Sequence, residues 1–153
     1  MNIGLISDTH GLLRPEALAA LQGSDLIVHA GDIGAPEILD RLREIAPLVA
    51  VRGNNDTDAW AQATPETQTF DAGGQQLHLL HDLKTLAIDP SADGVSIVVA
   101  GHSHRPKIET RNGVLYINPG SAGPRRFSLP VTVAHLRVGH GRPQARIVDL
   151  FDG

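Results

Sequence analysis

The sequence predicts an α/β fold in which a parallel βαβαβ unit leads into a mostly β second half, so that two sheets pack face to face with helices outside. Three observations predict it. Apolar runs of strand length alternate with amphipathic helical stretches through the first 51 residues. Beyond residue 67 the helical period disappears, and short apolar runs separated by turn residues replace it. The 153-residue chain has no internal repeat, low-complexity tract or long linker, which fits one domain over 1–153.

The elements follow in order. Residues 3–7 read as a buried strand and 15–21 as a short helix, with Pro15 at its first position and Gly23 past its end. Residues 26–30 are a second strand. A second helix over 36–45 carries Ile38, Leu39, Leu42 and Ile45 on one face at three- and four-residue spacings. Residues 48–51 are a third strand. Gly73-Gly74 turns a hairpin between 67–71 and 75–80, and 95–100 is a continuous apolar run of the kind found in buried strands. Further strands fall at 106–111, 114–118, 131–137 and 145–150, with Asn112-Gly113 as a strong turn signal.

Composition narrows the function classes. A formal net charge of −4 and few aromatic residues argue against a nucleic-acid surface. With no cysteine, thiolate metal sites and disulfides are excluded. No apolar run approaches the roughly 20 residues that span a bilayer. The first residues lack a basic segment followed by a long apolar one, so a cytoplasmic protein is expected.

Position then singles out seven polar residues. Asp8 and His10 follow the first strand, Asp32 the second and Asn54 the third; His81 follows 75–80, and His102 and His104 follow 95–100. All lie past the carboxyl ends of apolar strands, where the loops of α/β sheets bind ligands. Asp8-x-His10 and His102-x-His104 direct two side chains each to one side of an extended chain. Gly31, Gly53 and Gly101 each precede one of the seven, consistent with sharp turns or close backbone approach. Taken singly, Asp8 reads equally well as a turn cap and Asn54-Asn55-Asp56 as an Asx turn; jointly, seven donors at strand ends point to a metal site. Oxygen and imidazole donors without sulfur suit Mn²⁺, Fe, Zn²⁺, Co²⁺ or Mg²⁺.

In order, the blocks Asp8-x-His10, Gly31-Asp32, Gly53-Asn54-x-Asp56, His81 and Gly101-His102-x-His104 resemble the calcineurin-like metallophosphoesterases. Asn118-Pro119-Gly120-Ser121 adds a feature of their small prokaryotic phosphodiesterase branch. The resemblance implies a four-layer α/β/β/α sandwich of two mixed sheets flanked by helices. It also implies two divalent ions per chain, Mn²⁺ favoured, with Fe, Zn²⁺, Co²⁺, Ni²⁺ or Mg²⁺ as alternatives. One ion would be held by Asp8, His10, Asp32 and His104, the other by Asp32, Asn54, His81 and His102, with Asp32 shared. Asn54, Asp56 and His102 would be the catalytic residues. Two carboxylates leave such a pair a pocket of roughly +2 for a small phosphate ester, attacked in line by a hydroxide bridging ions ~3.5–4 Å apart.

Two departures stand out. Many members have His where this chain has Asn55, and that His is thought to protonate the leaving group. Asn55, a candidate substrate contact, can hydrogen-bond but cannot transfer a proton, which would favour diesters or other esters with acidic leaving groups. Asp82 stands where Gly usually follows the ligand His. Arg125 and Arg126 are the basic candidates for gripping phosphate, with a solvated loop or a contact in a homo-oligomer as the competing reading. Arg52 shares that ambiguity. His29 reads as a buried structural residue, and His78, His135 and His140 as ordinary. The rival functions are a catalytically silent scaffold of the same fold and a nuclease component.

Overall fold

The computed structural model describes residues 1–139 and 141–151; His140 lies outside the described residues. Ten strands form two five-stranded mixed sheets. The first has the order β10-β9-β1-β2-β3, from β1 (Asn2–Ile6), β2 (Leu26–His29), β3 (Leu48–Ala50), β9 (Thr132–Arg137) and β10 (Gln144–Asp149). Its parallel core pairs Ile3 with Leu26 and Ile27 with Leu48, joined through α1 (Pro15–Leu21) and α2 (Pro36–Arg43). The second has the order β4-β5-β6-β8-β7, from β4 (Thr67–Ala72), β5 (Gln75–Leu80), β6 (Ile97–Val99), β7 (Lys107–Arg111) and β8 (Val114–Asn118). Its three central strands are parallel and its two edge strands antiparallel.

Alternation along the strands builds two apolar layers from the first sheet. Ile3, Leu5, Val28 and Leu136 point inward and meet Leu77, Leu79, Ile97, Val99 and Ile117 of the second sheet. Ile6, Ile27 and Val133 point outward and are covered by Ala17 and Leu21 of α1 and Ile38, Leu39 and Leu42 of α2. Each such buried aliphatic side chain stabilises the fold by about 1.5–3 kcal/mol. Both helices start on a proline at the first position, where no N–H is needed.

The predicted elements are all present, with ends shifted by one or two residues for local reasons. Pro106 has no N–H to donate and stays outside β7. Val131 pairs singly with Ser121 and does not extend β9. At α2, Ile45 donates to Leu42 instead of continuing the helix. Asn112 and Gly113 both take positive φ, as a type I′ turn requires. Two 3-10 turns, Ala59–Ala63 and Leu83–Thr85, have no apolar period that would announce them. The second gives the outer face of the second sheet its thin cover, where Leu83, Leu86 and Ile88 pack over Leu80, Val95 and Val98. The fourth layer is therefore a loop with one 3-10 turn. Among the described residues no helix is long and apolar enough to cross a membrane.

Candidate metal centre

The parallel strands deliver their loops to one edge, and backbone hydrogen bonds stitch those loops together. The Asp8 N–H donates to Gly31 O at 3.0 Å, His10 N–H to Asp32 O at 2.9 Å, and Gly101 N–H to His81 O at 2.9 Å. Gly53 and Gly101 are glycines for want of space. A Cβ on Gly53 would overlap the Asp32 carboxylate and backbone N, and one on Gly101 would overlap Ser7 Oγ and Asp8 Oδ2. Among the described residues, seven non-glycine residues have φ in the left-handed region, and five of them are Asp8, His10, Asp32, His102 and His104, at φ 46 to 73°. Such conformations are uncommon for side-chain-bearing residues and collect at functional sites.

Six of the seven predicted ligands converge in two groups. Asp8, His10 and His104 form one, Asp32, His81 and His102 the other, and the donor atoms within each lie within 4.8 Å of one another. In the first group, His104 Nε2 stands 3.4 Å from Asp8 Oδ1 and 3.4 Å from His10 Nε2. In the second, His81 Nε2 is 3.2 Å from Asp32 Oδ2 and 3.3 Å from His102 Nδ1. Asp32 Oδ2 also lies 3.7 Å from His10 Nε2, which links the groups through one carboxylate. Asn54 is exposed on the loop between β3 and Asn55.

Accounting for the oxygens tests whether these residues fit cations. Asp8 Oδ2 accepts from Ser7 Oγ at 2.6 Å and from the His102 N–H at 3.1 Å. Its other oxygen, Oδ1, is buried and accepts no hydrogen bond, yet faces the Nε2 atoms of His104, His10 and His81 at 3.4, 3.7 and 3.9 Å. Ligands ~2.0–2.2 Å from a common ion stand ~3–3.5 Å apart, close to the separations here. The donor set fits divalent cations.

Outer contacts aim the donors. His81 Nδ1–H donates to Ala30 O at 2.7 Å, which turns Nε2 toward Asp32 Oδ2. His102 turns Nδ1 to the cluster and Nε2 toward Asp82 Oδ2 at 3.9 Å. Asp32 Oδ1 accepts from the Asn55 N–H at 2.9 Å, and Oδ2 from Asn55 Nδ2 at 3.1 Å. Burial alone would raise the Asp32 pKa, but the hydrogen bonds from His81 and Asn55 bring it down to about 2. For Asp8, burial is likewise outweighed by His104 and Ser7, and its pKa is lowered. Burial pulls on His81 the other way, and its carboxylate neighbours Asp32 and Asp8 raise it. Charge therefore concentrates in the cluster as carboxylates.

His29, fully buried beneath the cluster, is structural as predicted. The Gly31 N–H donates to Nδ1 at 3.1 Å, Nε2–H donates to Thr9 Oγ1 at 3.1 Å, and Thr9 Oγ1–H donates to Ile33 O at 2.8 Å. That relay requires a neutral imidazole. Burial lowers the His29 pKa from its ordinary 6.5 to about 4, against Asp8 and Asp56, which raise it. Between those values the unfolded chain binds a proton that folded His29 refuses. The stability contributed by neutral His29 is thus fully present above pH 6.5 and lost as pH falls through the window to about 4, amounting to at most about 3 kcal/mol. In denaturant titrations of the metal-free protein at pH 7 and pH 4.5, His29→Gln should show a shallower pH slope than wild type. Equal slopes would reject this account.

Other predicted residues stand elsewhere. Asp56 is buried, and its carboxylate accepts from the Gly53, Ile33 and Gly34 N–H groups at 2.9, 3.0 and 3.0 Å. It locks the Asn54 loop to the Asp32 loop and presents no free oxygen to the cluster, so the catalytic expectation gives way to a positioning one. Asn55, expected on substrate, brackets Asp32 instead. Arg125 is exposed and donates to Leu129 O at 3.3 Å, while Arg126 lines a cavity beside His102. Arg52 pairs with Glu66 at 3.1 Å and donates to Thr64 O, away from the cluster. His78 bonds Thr69 and His135 bonds Ala20 O, both ordinary as expected. Asp82 caps the second 3-10 turn by accepting from the Lys84 N–H at 3.0 Å. The sequence reading missed Ser7 and Thr9, plain strand-end hydroxyls with no spacing signal. The Asn-Pro-Gly-Ser segment proves to be a brace: Asn118 Nδ2 donates to Gly101 O and Ser103 Oγ, both at 3.0 Å, and Ser121 Oγ to Asp8 O, also at 3.0 Å.

Residues 1–141 match the calcineurin-like phosphoesterase superfamily domain. A protein of Methanothermobacter thermautotrophicus named a probable metallophosphoesterase is 33% identical, over 97% of this chain and 92% of its own. The phosphodiesterase YfcE of Escherichia coli strain K12 is 28% identical, over 89% of this chain and 87% of its own. In fold, the zinc complex of Vps29 from Entamoeba histolytica superposes with a TM-score of 0.74 at 24% identity, covering 98% of this chain and 99% of that one.

Proposed function

The chain belongs to the calcineurin-like phosphoesterase superfamily, and from that premise we propose that it is a two-metal, Mn²⁺-favouring phosphodiesterase, one cytoplasmic domain acting on a small ester. The observation that carries this reading is the position of Asp32 Oδ2, 3.2 Å from His81 of its own donor group and 3.7 Å from His10 of the other. Asp8, His10, Asp32 and His104 would hold one ion, and Asp32, Asn54, His81 and His102 the other. When bound, the pair supplies an activated water and screens the charge on the phosphoryl oxygens.

The chain's own residues do the rest. Ser7, Asn55 and the Ala30 carbonyl hold Asp8, Asp32 and His81 in their working orientations, and Asp56 fixes the loop that carries Asn54. Asn55 donates to Asp32 and cannot protonate a leaving group. Without a general acid, typically worth 10²–10⁴-fold, esters whose alcohol leaves as a stable anion are favoured over simple alkyl monoesters. A silent scaffold is the second reading, favoured by the likeness of fold to Vps29; the convergence of six of the seven expected donors in two groups speaks for the enzyme.

Stripping the protein with chelator and titrating Mn²⁺ back by calorimetry tests both. Binding of two equivalents, with turnover of bis(p-nitrophenyl) phosphate restored in parallel, is expected. Two bound ions without turnover would identify the scaffold, and no metal binding would reject both readings. Asn55→His, measured across a pH series, should narrow the gap between p-nitrophenyl phosphate and the diester.

A further inference from the structure

Beside the cluster, on the outer face of β6, β8 and β7, lies a cavity of about 630 Å³. His102 belongs to its wall and to the Asp32–His81–His102 group, so the cavity adjoins the cluster through that imidazole. Its charge is out of keeping with the molecule. Lys84, Arg105, Lys107, Arg111 and Arg126 line it, five of the chain's 13 cations and both of its lysines. Only Asp82 and Glu109 of the 17 acidic residues face them.

The pairing inside the cavity leaves cations over. Glu109 is taken by Lys107 at 2.6 Å and by Arg111, and Arg111 also lies over the Tyr116 ring at 4.5 Å. Asp82 is taken by the Lys84 backbone N–H and stands 3.9 Å from His102. Among the described residues the side chains of Lys84, Arg105 and Arg126 form no ion pair. In a chain of net charge −4, three free cations in one concavity amount to an anion site. The phosphoryl group itself would be held at the donor cluster, so these cations answer a different charge.

We propose that the cavity is a subsite for one alcohol arm of the substrate, and that this arm carries a second anionic group, a phosphate or carboxylate, gripped by Lys84, Arg105 and Arg126. This rests on the phosphodiesterase reading and sharpens it. The substrate class is then a phosphodiester with a further anion on one of its two alcohols. The cavity volume lies within the range of small-molecule sites.

Two chromogenic diesters differing by one phosphate test it: p-nitrophenyl thymidine 5′-phosphate, and the same molecule phosphorylated at the 3′ oxygen. With the Mn²⁺-loaded enzyme, the phosphorylated diester should have a KM lower by about 10-fold or more, the worth of one or two charge-assisted hydrogen bonds, at similar kcat. Lys84→Glu and Arg105→Glu should bring the ratio of the two KM values close to one, as should raising the salt. No preference in wild type, or a preference that survives both charge reversals, overturns the proposal. If neither diester is hydrolysed, the phosphodiesterase reading has failed on its own, and calorimetry of thymidine 3′,5′-bisphosphate with the metal-free protein decides the cavity. Binding weakened about 10-fold by Arg105→Glu upholds the anion site, and absence of binding overturns it.

Discussion

Asp32→Ala is expected to lose diesterase turnover by more than the roughly 10²–10³-fold typical of removing one preorganised electrostatic group, and to retain at most one metal equivalent. The reason is that Oδ2 serves both groups of donors while Oδ1 is held by Asn55. Its removal takes a donor from each ion position and leaves His81 without the nearer of the two carboxylates that raise its pKa. Asp32→Asn separates charge from shape, since the amide keeps the volume and one acceptor but gives up the negative charge. Metal content by elemental analysis and turnover of bis(p-nitrophenyl) phosphate are read on the same preparations. Two tightly held ions and turnover within tenfold of wild type in Asp32→Ala would dispose of the shared-carboxylate reading.

Gly53→Ala should produce nearly as large an effect without touching a donor. A methyl there overlaps Asp32 Oδ1 and the Asp32 backbone N. Because φ at Gly53 is not positive, the clash is one of space alone. Either Asp32 swings away or the loop locked by Asp56 is forced outward. Overpacking of this kind costs typically 1–3 kcal/mol, and misplacing a ligand's support costs 10–100-fold in metal affinity. Gly74→Ala is the contrasting variant. It has positive φ but open surroundings, so it should lose about 1 kcal/mol from strain and keep its metal affinity. Thermal denaturation and Mn²⁺ titration of the two variants check the contrast; equal metal affinity in both would remove the packing explanation.

Much of this was readable in the sequence because two periodic signals coincided. Strand-length apolar runs placed the sheets, and the donors that followed them fell at one edge once the parallel connections were right. What escaped reading has a common physical cause. A carboxylate looks the same in sequence whether one of its oxygens is left without a hydrogen bond among imidazole nitrogens, as Asp8 Oδ1 is, or its oxygens accept three backbone N–H groups, as those of Asp56 do. Asn55 likewise gave no sign that its amide would close on Asp32. Ser7 and Thr9 act only through contacts made by folding. The cationic cavity draws on residues from 84 to 126, and no local window contains it. The thin outer layer over the second sheet followed from the stretch between β5 and β6, which has no helical period and closes with a single 3-10 turn.

The mirror-image backbone at Asp8, His10, Asp32, His102 and His104 restricts which residues these positions can exchange for. Asp, Asn and His are the side-chain-bearing residues that enter this region most readily, and they are also oxygen and nitrogen donors to divalent ions. If the cluster holds metal, each of the five positions is filtered twice, by coordination chemistry and by torsion angle, and the two filters overlap in three amino acids. Glycine passes only the second and a β-branched side chain passes neither. Such a loop set can trade Asp for Asn or His with little backbone penalty, and retuning the charge of the centre by that exchange is the sequence variation the fold leaves open.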